Sequence, residues 1–200
     1  MKTFLIKNEA NILNGCSDNS DLDSRLLIQW AHNIAKGMKY LSRKHIMHGD
    51  LAARNILIGR GKLLIMCLCT DHRFEILKDS NILVNKYFLK NPLLFKGQGR
   101  NGLSKLVAKV SDFGLSKTFY DNIRYKKQKR QYVPWKWMAI EYLQTGCLTI
   151  TSDVWSYGIV LYELFSLGKE PYVGKNVEDM ILKLKEGYHL PCPEEVNEVS

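Results

Sequence analysis

The sequence has 200 residues, 46% of them hydrophobic and 24% charged, which is typical of a globular domain with one hydrophobic core. Its longest apolar run, residues 63–69, is too short to cross a bilayer, and the N-terminal residues lack the pattern of a signal peptide. Five cysteines, an odd number at scattered positions, do not indicate a disulfide framework, so we expect a reducing compartment.

The net charge of +9 is concentrated in two segments. Residues 61–104 carry seven Lys and Arg against three Asp and Glu, and residues 117–136 carry seven against one. The rest of the chain is therefore nearly neutral. A basic surface of this kind could bind nucleic acid, but no nucleic-acid-binding motif accompanies it, so we expect no nucleic-acid partner.

The first half of the chain contains one strong helix pattern. Residues 1–23 are polar and weakly patterned, and we interpret them as a linker or disordered lead-in. A helix is predicted at about 24–43, because one stripe of apolar residues recurs there at helical spacing: Leu27, Trp30, Ala31, Ile34, Met38 and Leu41. Residues 45–58 are predicted to form a loop flanked by short apolar pieces.

The second half alternates short elements with polar segments. Residues 107–110 predict a strand, and the polar, basic residues 114–135 predict a long exposed loop. A helix capped by residues 151–153 is predicted at about 152–167, and its apolar residues on most faces predict that it is buried. A last helix is predicted to open with Asn176 and Asp179 and to stop at Gly187.

The residues that carry chemistry lie in two short segments. The first reads His48-Gly49-Asp50-Leu51-Ala52-Ala53-Arg54-Asn55, and the second reads Asp112-Phe113-Gly114. Phosphoryl transfer needs a carboxylate that takes the proton of a hydroxyl and oxygen ligands that hold metal ions on the phosphates. Asp50 can be that carboxylate, while Asn55 and Asp112 can supply oxygen to a hard cation such as Mg²⁺.

Taken in this order, and followed by the segments 135–141 and 152–158, these motifs give a strong signal. From about residue 24 to 190, apart from 61–104, the chain resembles receptor protein-tyrosine kinases, and within them the platelet-derived and vascular endothelial growth factor receptor group. The resemblance implies an α+β protein-kinase fold and, for this chain, the mainly helical C-lobe. Residues 24–200 would be a partial kinase domain.

The resemblance also implies roles for single residues. Asp50 would be the catalytic base, and Arg54 would help to hold the substrate tyrosine. ATP and Mg²⁺ would be the cofactors, with Asn55 and Asp112 as metal ligands and Leu57 as the floor under the adenine. Three further roles follow from the same likeness: a substrate-groove proline at Pro134, a carboxylate that braces the catalytic loop at Asp153, and activation-loop phosphotyrosines at Tyr120 and Tyr125. His48 is interpreted as a packed, hydrogen-bonded structural residue.

Two features depart from the family pattern near the site. The sequence contains no Gly-rich phosphate-covering loop and no strand Lys paired with a helix Glu, so we expect the N-lobe to be absent and these 200 residues alone to be inactive. Gly49 stands where the family has an arginine that pairs with the activation-loop phosphate. We therefore expect loop phosphorylation to be weakly coupled to activity.

A third departure is the distance between the two motifs. Asn55 and Asp112 are 57 positions apart, far more than the resemblance implies, and the excess falls at about residues 61–104. Long stretches without clear periodicity are uncommon inside compact domains. The segment is either translated intron carried in by an incomplete gene model or a genuine surface insertion.

Two functions from different classes fit these observations. The first is ATP-dependent transfer of the γ-phosphoryl group to protein tyrosine, in a dimerising membrane receptor whose kinase domain lies on the cytoplasmic side of the plasma membrane. The second is a non-catalytic kinase-like module that acts by binding partners. Retention of Asp50, Asn55 and Asp112 favours the enzyme.

Overall fold

The computed structural model describes residues 1–3, 5, 24–59, 66–67, 83–84, 106–118, 125–126 and 134–193. From residue 24 onwards, the described part contains four α-helices: α1 (Ser24–Arg43), α2 (Ile140–Thr145), α3 (Ile150–Phe165) and α4 (Val177–Lys185). Single 3₁₀ turns lie at Ala53–Asn55 and Trp135–Trp137. This helix-rich architecture with small sheets is compatible with the predicted mainly helical lobe.

The strands of the described part pair in four two-stranded sheets. Three pairs are antiparallel: β1 (Ile46–Met47) with β6 (Lys117–Thr118), β2 (Ile56–Gly59) with β5 (Val107–Val110), and β7 (Tyr125–Lys126) with β8 (Cys147–Leu148). The fourth pair, β3 (Met66–Cys67) with β4 (Leu83–Val84), is parallel. The β2–β5 ladder matters most for function, because it joins the segments that carry the two motifs.

Helix α1 has the bounds that its apolar stripe predicts. Trp30, Ile34 and Leu41 are fully buried in the main core, together with residues of β2, β5 and α3. The Trp30 indole donates a 3.2 Å hydrogen bond to the carbonyl of Leu106, just before β5. The helix is thus fixed against the strand that leads to the second motif.

Helix α3 begins and ends two residues earlier than predicted, and its cap differs. Thr149 is the N-cap, and it exchanges hydrogen bonds with Ser152 in a capping box, whereas the sequence pattern predicted a cap at 151–153. The prediction of a buried helix holds for one face, which includes Ile159, Val160 and Leu164, but not for Val154, which is 67% exposed. One face packs against α1 and the catalytic loop, which we define as residues 48–55, and the face that carries Val154 lies outside these contacts.

The remaining predictions have mixed outcomes. Strand β5 and helix α4 are confirmed, with the Asn176 side chain accepting from the Asp179 amide at 2.8 Å. The loop predicted at 114–135 contains strands β6 and β7, while residues 119–124 and 127–133 lie outside the described residues. Leu5 is fully buried in the core, but residues 6–23 and most of 61–104 also lie outside the described part, so the domain boundaries stay predictions.

Helix α1 offers a matched test of this packing. Replacing the fully buried Ile34 by Ala should lower the free energy of unfolding by about 2–5 kcal/mol, because it leaves a cavity in the core. Ile28→Ala on the same helix should change it by less than about 0.5 kcal/mol, because Ile28 is 54% exposed. Urea unfolding of both variants checks the difference, and equal losses would contradict the packing.

Candidate active site

The catalytic loop is held by a buried carboxylate from α3. Asp153 accepts a 2.7 Å hydrogen bond from the His48 amide on one oxygen and a 3.0 Å bond from the Gly49 amide on the other. Burial raises the pKa of Asp153, and the two amide bonds oppose that shift. The predicted bracing role of Asp153 is confirmed.

His48 connects the catalytic loop with the second motif. Its ring is fully buried, its Nδ1 accepts from the Asp50 amide at 3.2 Å, and its Nε2 lies 3.0 Å from the carbonyl oxygen of Ser111. Since Nδ1 accepts, the proton sits on Nε2, which donates to Ser111. The ring also packs against Phe113 at a centroid distance of 5.0 Å. The interpretation of His48 as a structural residue is confirmed.

Gly49 adopts a backbone conformation that favours glycine. Its φ of +77° lies in the left-handed region, and a Cβ built there would approach the carbonyl oxygen of Leu115 to 3.2 Å. Because glycine has no side chain, this position offers no cation to a phosphate on the activation segment. The structure thus gives a local reason for a glycine where the family pattern has an arginine.

Asp50 lies at the centre of a small polar cluster within the catalytic loop. Arg54 forms an ion pair with one oxygen of Asp50 through its Nη2, and Asn55 Nδ2 donates to the other oxygen at 3.0 Å. The same Asn55 nitrogen also donates to the Asp50 carbonyl at 2.7 Å. Each carboxylate oxygen has two acceptor positions, so Asp50 can still accept a proton from a third group.

The β2–β5 ladder connects the segment that contains Asp112 with the segment that contains Asn55. Ile56 pairs with Val110 in this antiparallel ladder. Asn55, directly before β2, therefore lies beside Ser111, directly after β5. The carbonyl of Asn55 accepts from both the amide and the hydroxyl of Ser111, at 2.9 and 2.8 Å. The residue that follows, Asp112, is exposed and adopts a φ of 62°, a left-handed conformation that Asp tolerates. The two predicted metal ligands therefore lie at the same end of the ladder.

The donor atoms at this end suit a magnesium ion. The side-chain nitrogen of Asn55 donates its hydrogen bonds to Asp50. The Oδ1 of Asn55 therefore points away from the Asp50 carboxylate. Asp112 accepts from the Gly114 amide at 3.3 Å on one oxygen, and the described residues give its second oxygen no hydrogen bond. One amide oxygen and one carboxylate oxygen are ligands that Mg²⁺ prefers.

The other predicted residues are placed less completely. Leu57 is half-buried on the face of β2 opposite to Ile56 and Ile58, which enter the core, and it pairs with Lys109 across the ladder. Of Tyr125 the structure describes only the main chain, which pairs with Leu148. Tyr120 lies outside the described residues. These roles stay predictions.

Two residues next to the catalytic loop were missed by the sequence reasoning. Glu163, fully buried in α3, accepts 2.8 Å hydrogen bonds on Oε2 from the Ala53 amide and from the Trp137 indole. The Trp137 ring in turn lies 4.6 Å from the guanidinium of Arg54. The available signal was the single glutamate in an otherwise apolar helical stretch, since an acidic residue there must find partners when buried.

Comparison with known proteins identifies the family. The family model for protein tyrosine and serine/threonine kinases matches residues 1–199. The chain belongs to this family. Its curated relatives include the myoblast growth factor receptor egl-15 of Caenorhabditis elegans, 34% identical over 88% of the chain, and the mast/stem cell growth factor receptor Kit of Takifugu rubripes, also 34% identical over 88%.

A third relative is the tyrosine-protein kinase transmembrane receptor Ror of Drosophila melanogaster, 31% identical over 93% of the chain. The predicted resemblance to receptor protein-tyrosine kinases is confirmed, and the similarity to Kit is consistent with the growth factor receptor group named above. The chain spans only 13%, 14% and 21% of the lengths of these three relatives. Among the described residues, no helix is long and apolar enough to cross a membrane.

The conformation of Gly49 yields a stability prediction. Gly49→Ala should lower the free energy of unfolding by about 1–2 kcal/mol, because an L-residue is strained at positive φ. Gly158→Ala is the matched control, since Gly158 lies inside α3 with open space around its Cβ position. This variant should raise the free energy of unfolding by up to about 1 kcal/mol, because alanine favours a helix over glycine. Thermal unfolding of both variants checks the opposite signs, and a neutral or stabilising Gly49→Ala would refute the strain.

Proposed function

We propose that this chain carries the catalytic-loop half of a protein-tyrosine kinase, which transfers the γ-phosphoryl group of ATP to tyrosine side chains of proteins. The observation that carries the proposal is the junction at the end of the β2–β5 ladder. There Asp50 and Asn55 share hydrogen bonds, and Ser111 delivers Asp112 to the same end. A general base and two metal ligands are the parts that phosphoryl transfer requires from this side of the nucleotide.

The residues take separate roles in this proposal. Asp50 orients the tyrosine hydroxyl and accepts its proton, while Arg54, which has donors beyond the one that it gives to Asp50, holds the phenol oxygen. Asn55 and Asp112 would hold Mg²⁺, and Leu57 would lie under the adenine. When bound, Mg²⁺ on the ATP phosphates neutralises charge that develops during transfer.

Tyrosine rather than serine is the proposed acceptor because of the residues between base and metal ligand. Ala52-Ala53-Arg54 stands where serine/threonine kinases of the family carry Lys-Pro-Glu. The curated relatives are named as growth factor receptors and as a tyrosine-protein kinase transmembrane receptor, which supports tyrosine and a receptor context. We propose a dimerising receptor with this domain on the cytoplasmic side of the plasma membrane and protein substrates.

Regulation is proposed to differ from the family pattern at Gly49. No side chain at position 49 can pair with a phosphate on Tyr125, whereas residues 117–118 and 125–126 are held through the main-chain pairing of β1–β6 and β7–β8. Loop phosphorylation is therefore weakly coupled to activity. Whether residues 61–104 are intron or surface insertion is a separate question, which the sequence of the mature transcript answers.

The central test is transfer to a tyrosine-containing peptide by the protein expressed from the complete transcript. Asp50→Asn should lower kcat about 10²–10⁴-fold, since a positioned general base contributes that much. The matched control, Asp179→Asn, lies exposed at the start of α4 and should leave the rate unchanged. Tyrosine phosphatase treatment before the assay should change the rate little.

Three results would contradict these proposals. Wild-type rates in Asp50→Asn would refute the assignment of Asp50 as the catalytic base. Absence of transfer by the wild-type protein would favour the non-catalytic kinase-like binding module. A large loss of activity on dephosphorylation would refute the weak coupling.

The 200 residues alone are proposed not to catalyse, because they contain no Gly-rich loop and no paired strand lysine to hold the ATP phosphates. Titration calorimetry of this chain with ATP, with and without Mg²⁺, should detect no tight binding. Tight, Mg²⁺-dependent binding that disappears in Asp112→Ala would contradict this part of the proposal while supporting Asp112 as a metal ligand.

A further inference from the structure

Glu163 is a buried carboxylate in a position where stability alone would favour an apolar residue. Its side chain is fully buried near the end of α3, and burial is the main cause that raises its pKa. Burying a carboxylate costs free energy that well-packed apolar residues do not. A glutamate at this position therefore indicates a role other than stability, and its hydrogen-bond partners show what that role involves.

The contacts of Glu163 converge on both sides of Arg54. The Ala53 amide, which donates to Oε2 at 2.8 Å, belongs to the residue directly before Arg54. The Trp137 indole, which donates to the same oxygen at 2.8 Å, belongs to the ring that faces the Arg54 guanidinium at 4.6 Å. One carboxylate oxygen thus fixes the backbone that starts this side chain and the aromatic surface on which it rests.

Arg54 in turn contacts the proposed base. It is 37% exposed, so water would let this long side chain sample many rotamers without a surface to rest on. Its ion pair with Asp50 spans four residues of a turn, a pair that contributes little when exposed and unsupported. Contact with the Trp137 ring restricts the Arg54 side chain, which the exposed ion pair alone would not do.

We propose that Glu163 is a positioning residue, which presets Arg54 against Asp50 by holding the Ala53 amide and the Trp137 ring. This role rests on the proposed function, because it assigns Arg54 and Asp50 to the substrate hydroxyl. It extends the site by a second layer that runs from α3 through Trp137 to the catalytic loop.

Lys2 balances the charge of this layer. Its Nζ lies 3.8 Å from Glu163 Oε1 and 5.9 Å from the centre of the Trp137 ring. The first distance is too long for a hydrogen bond, and Oε1 has no hydrogen-bond partner among the described residues. Lys2 therefore acts on Glu163 by charge and leaves Oε2 to hold Ala53 and Trp137.

The first arm of the test measures position without activity. In the ¹⁵N-labelled 200-residue chain, Glu163→Leu should shift the Trp137 indole signal towards that of an unbonded indole and broaden the Arg54 Nε–H signal through faster exchange with water. Glu163→Gln keeps an acceptor oxygen of the same shape and should retain both signals. The control Glu170→Leu removes a nearby carboxylate that pairs with Lys136 at 2.8 Å, and it should leave both signals in place.

The second arm measures rate in the protein expressed from the complete transcript. Glu163→Leu should lower kcat for a tyrosine peptide about 100-fold, the loss expected when a catalytic group is misplaced by about 1 Å, with the KM for ATP unchanged. Glu163→Gln should recover most of the lost rate. If kcat fell as far in Glu163→Gln as in Glu163→Leu, the charge of Glu163 would matter and its hydrogen bonds would not. That result would overturn the proposal.

The arms separate this inference from the proposed function. An unchanged Arg54 signal in Glu163→Leu overturns the positioning role whatever the activity. Absence of transfer by the wild-type protein refutes the proposed function, and the first arm still decides whether Glu163 positions Arg54. Should Glu163→Leu fail to fold, Trp137→Leu, which removes the ring under the guanidinium, must broaden the Arg54 signal, and a sharp signal there would equally overturn the proposal.

Discussion

The arrangement of the candidate site depends on one buried carboxylate. Asp153 accepts the amides of His48 and Gly49, two hydrogen bonds to a charged acceptor that are worth about 1.5–3 kcal/mol each in typical cases. These bonds fix the chain where it turns through the positive φ of Gly49. Without them, the direction in which Asp50 leaves that turn would not be set.

The rest of the site is built outwards from this point by the β2–β5 ladder and by α3. The ladder brings together Asn55 and Ser111, which are 56 positions apart in the sequence and share two hydrogen bonds. Helix α3 contributes twice, through Asp153 near its start and through Glu163 near its end. One helix therefore supports both ends of the catalytic loop, which explains how a short irregular segment keeps a defined geometry.

The sequence predicted the elements and residues whose signal is local. The apolar stripe predicted α1 at about residues 24–43, which agrees with the observed bounds. The motifs indicated Asp50 and Asn55, which share hydrogen bonds, and Asp112, which lies just beyond β5. The sequence alone could not predict contacts that depend on tertiary packing. The exposure of Val154 depends on what lies beside α3, and the role of Glu163 depends on a tryptophan 26 positions earlier in the chain. Hydrophobic periodicity carries no information about either partner.

The most direct test of this account is amide hydrogen exchange at His48 and Gly49, with the core amide of Ile34 as reference. In the wild-type chain, both amides should be strongly protected, because a buried carboxylate holds them. In Asp153→Ala, their protection should fall sharply while that of Ile34 persists. Unchanged protection at His48 and Gly49 in this variant would contradict the claim that Asp153 holds the catalytic loop.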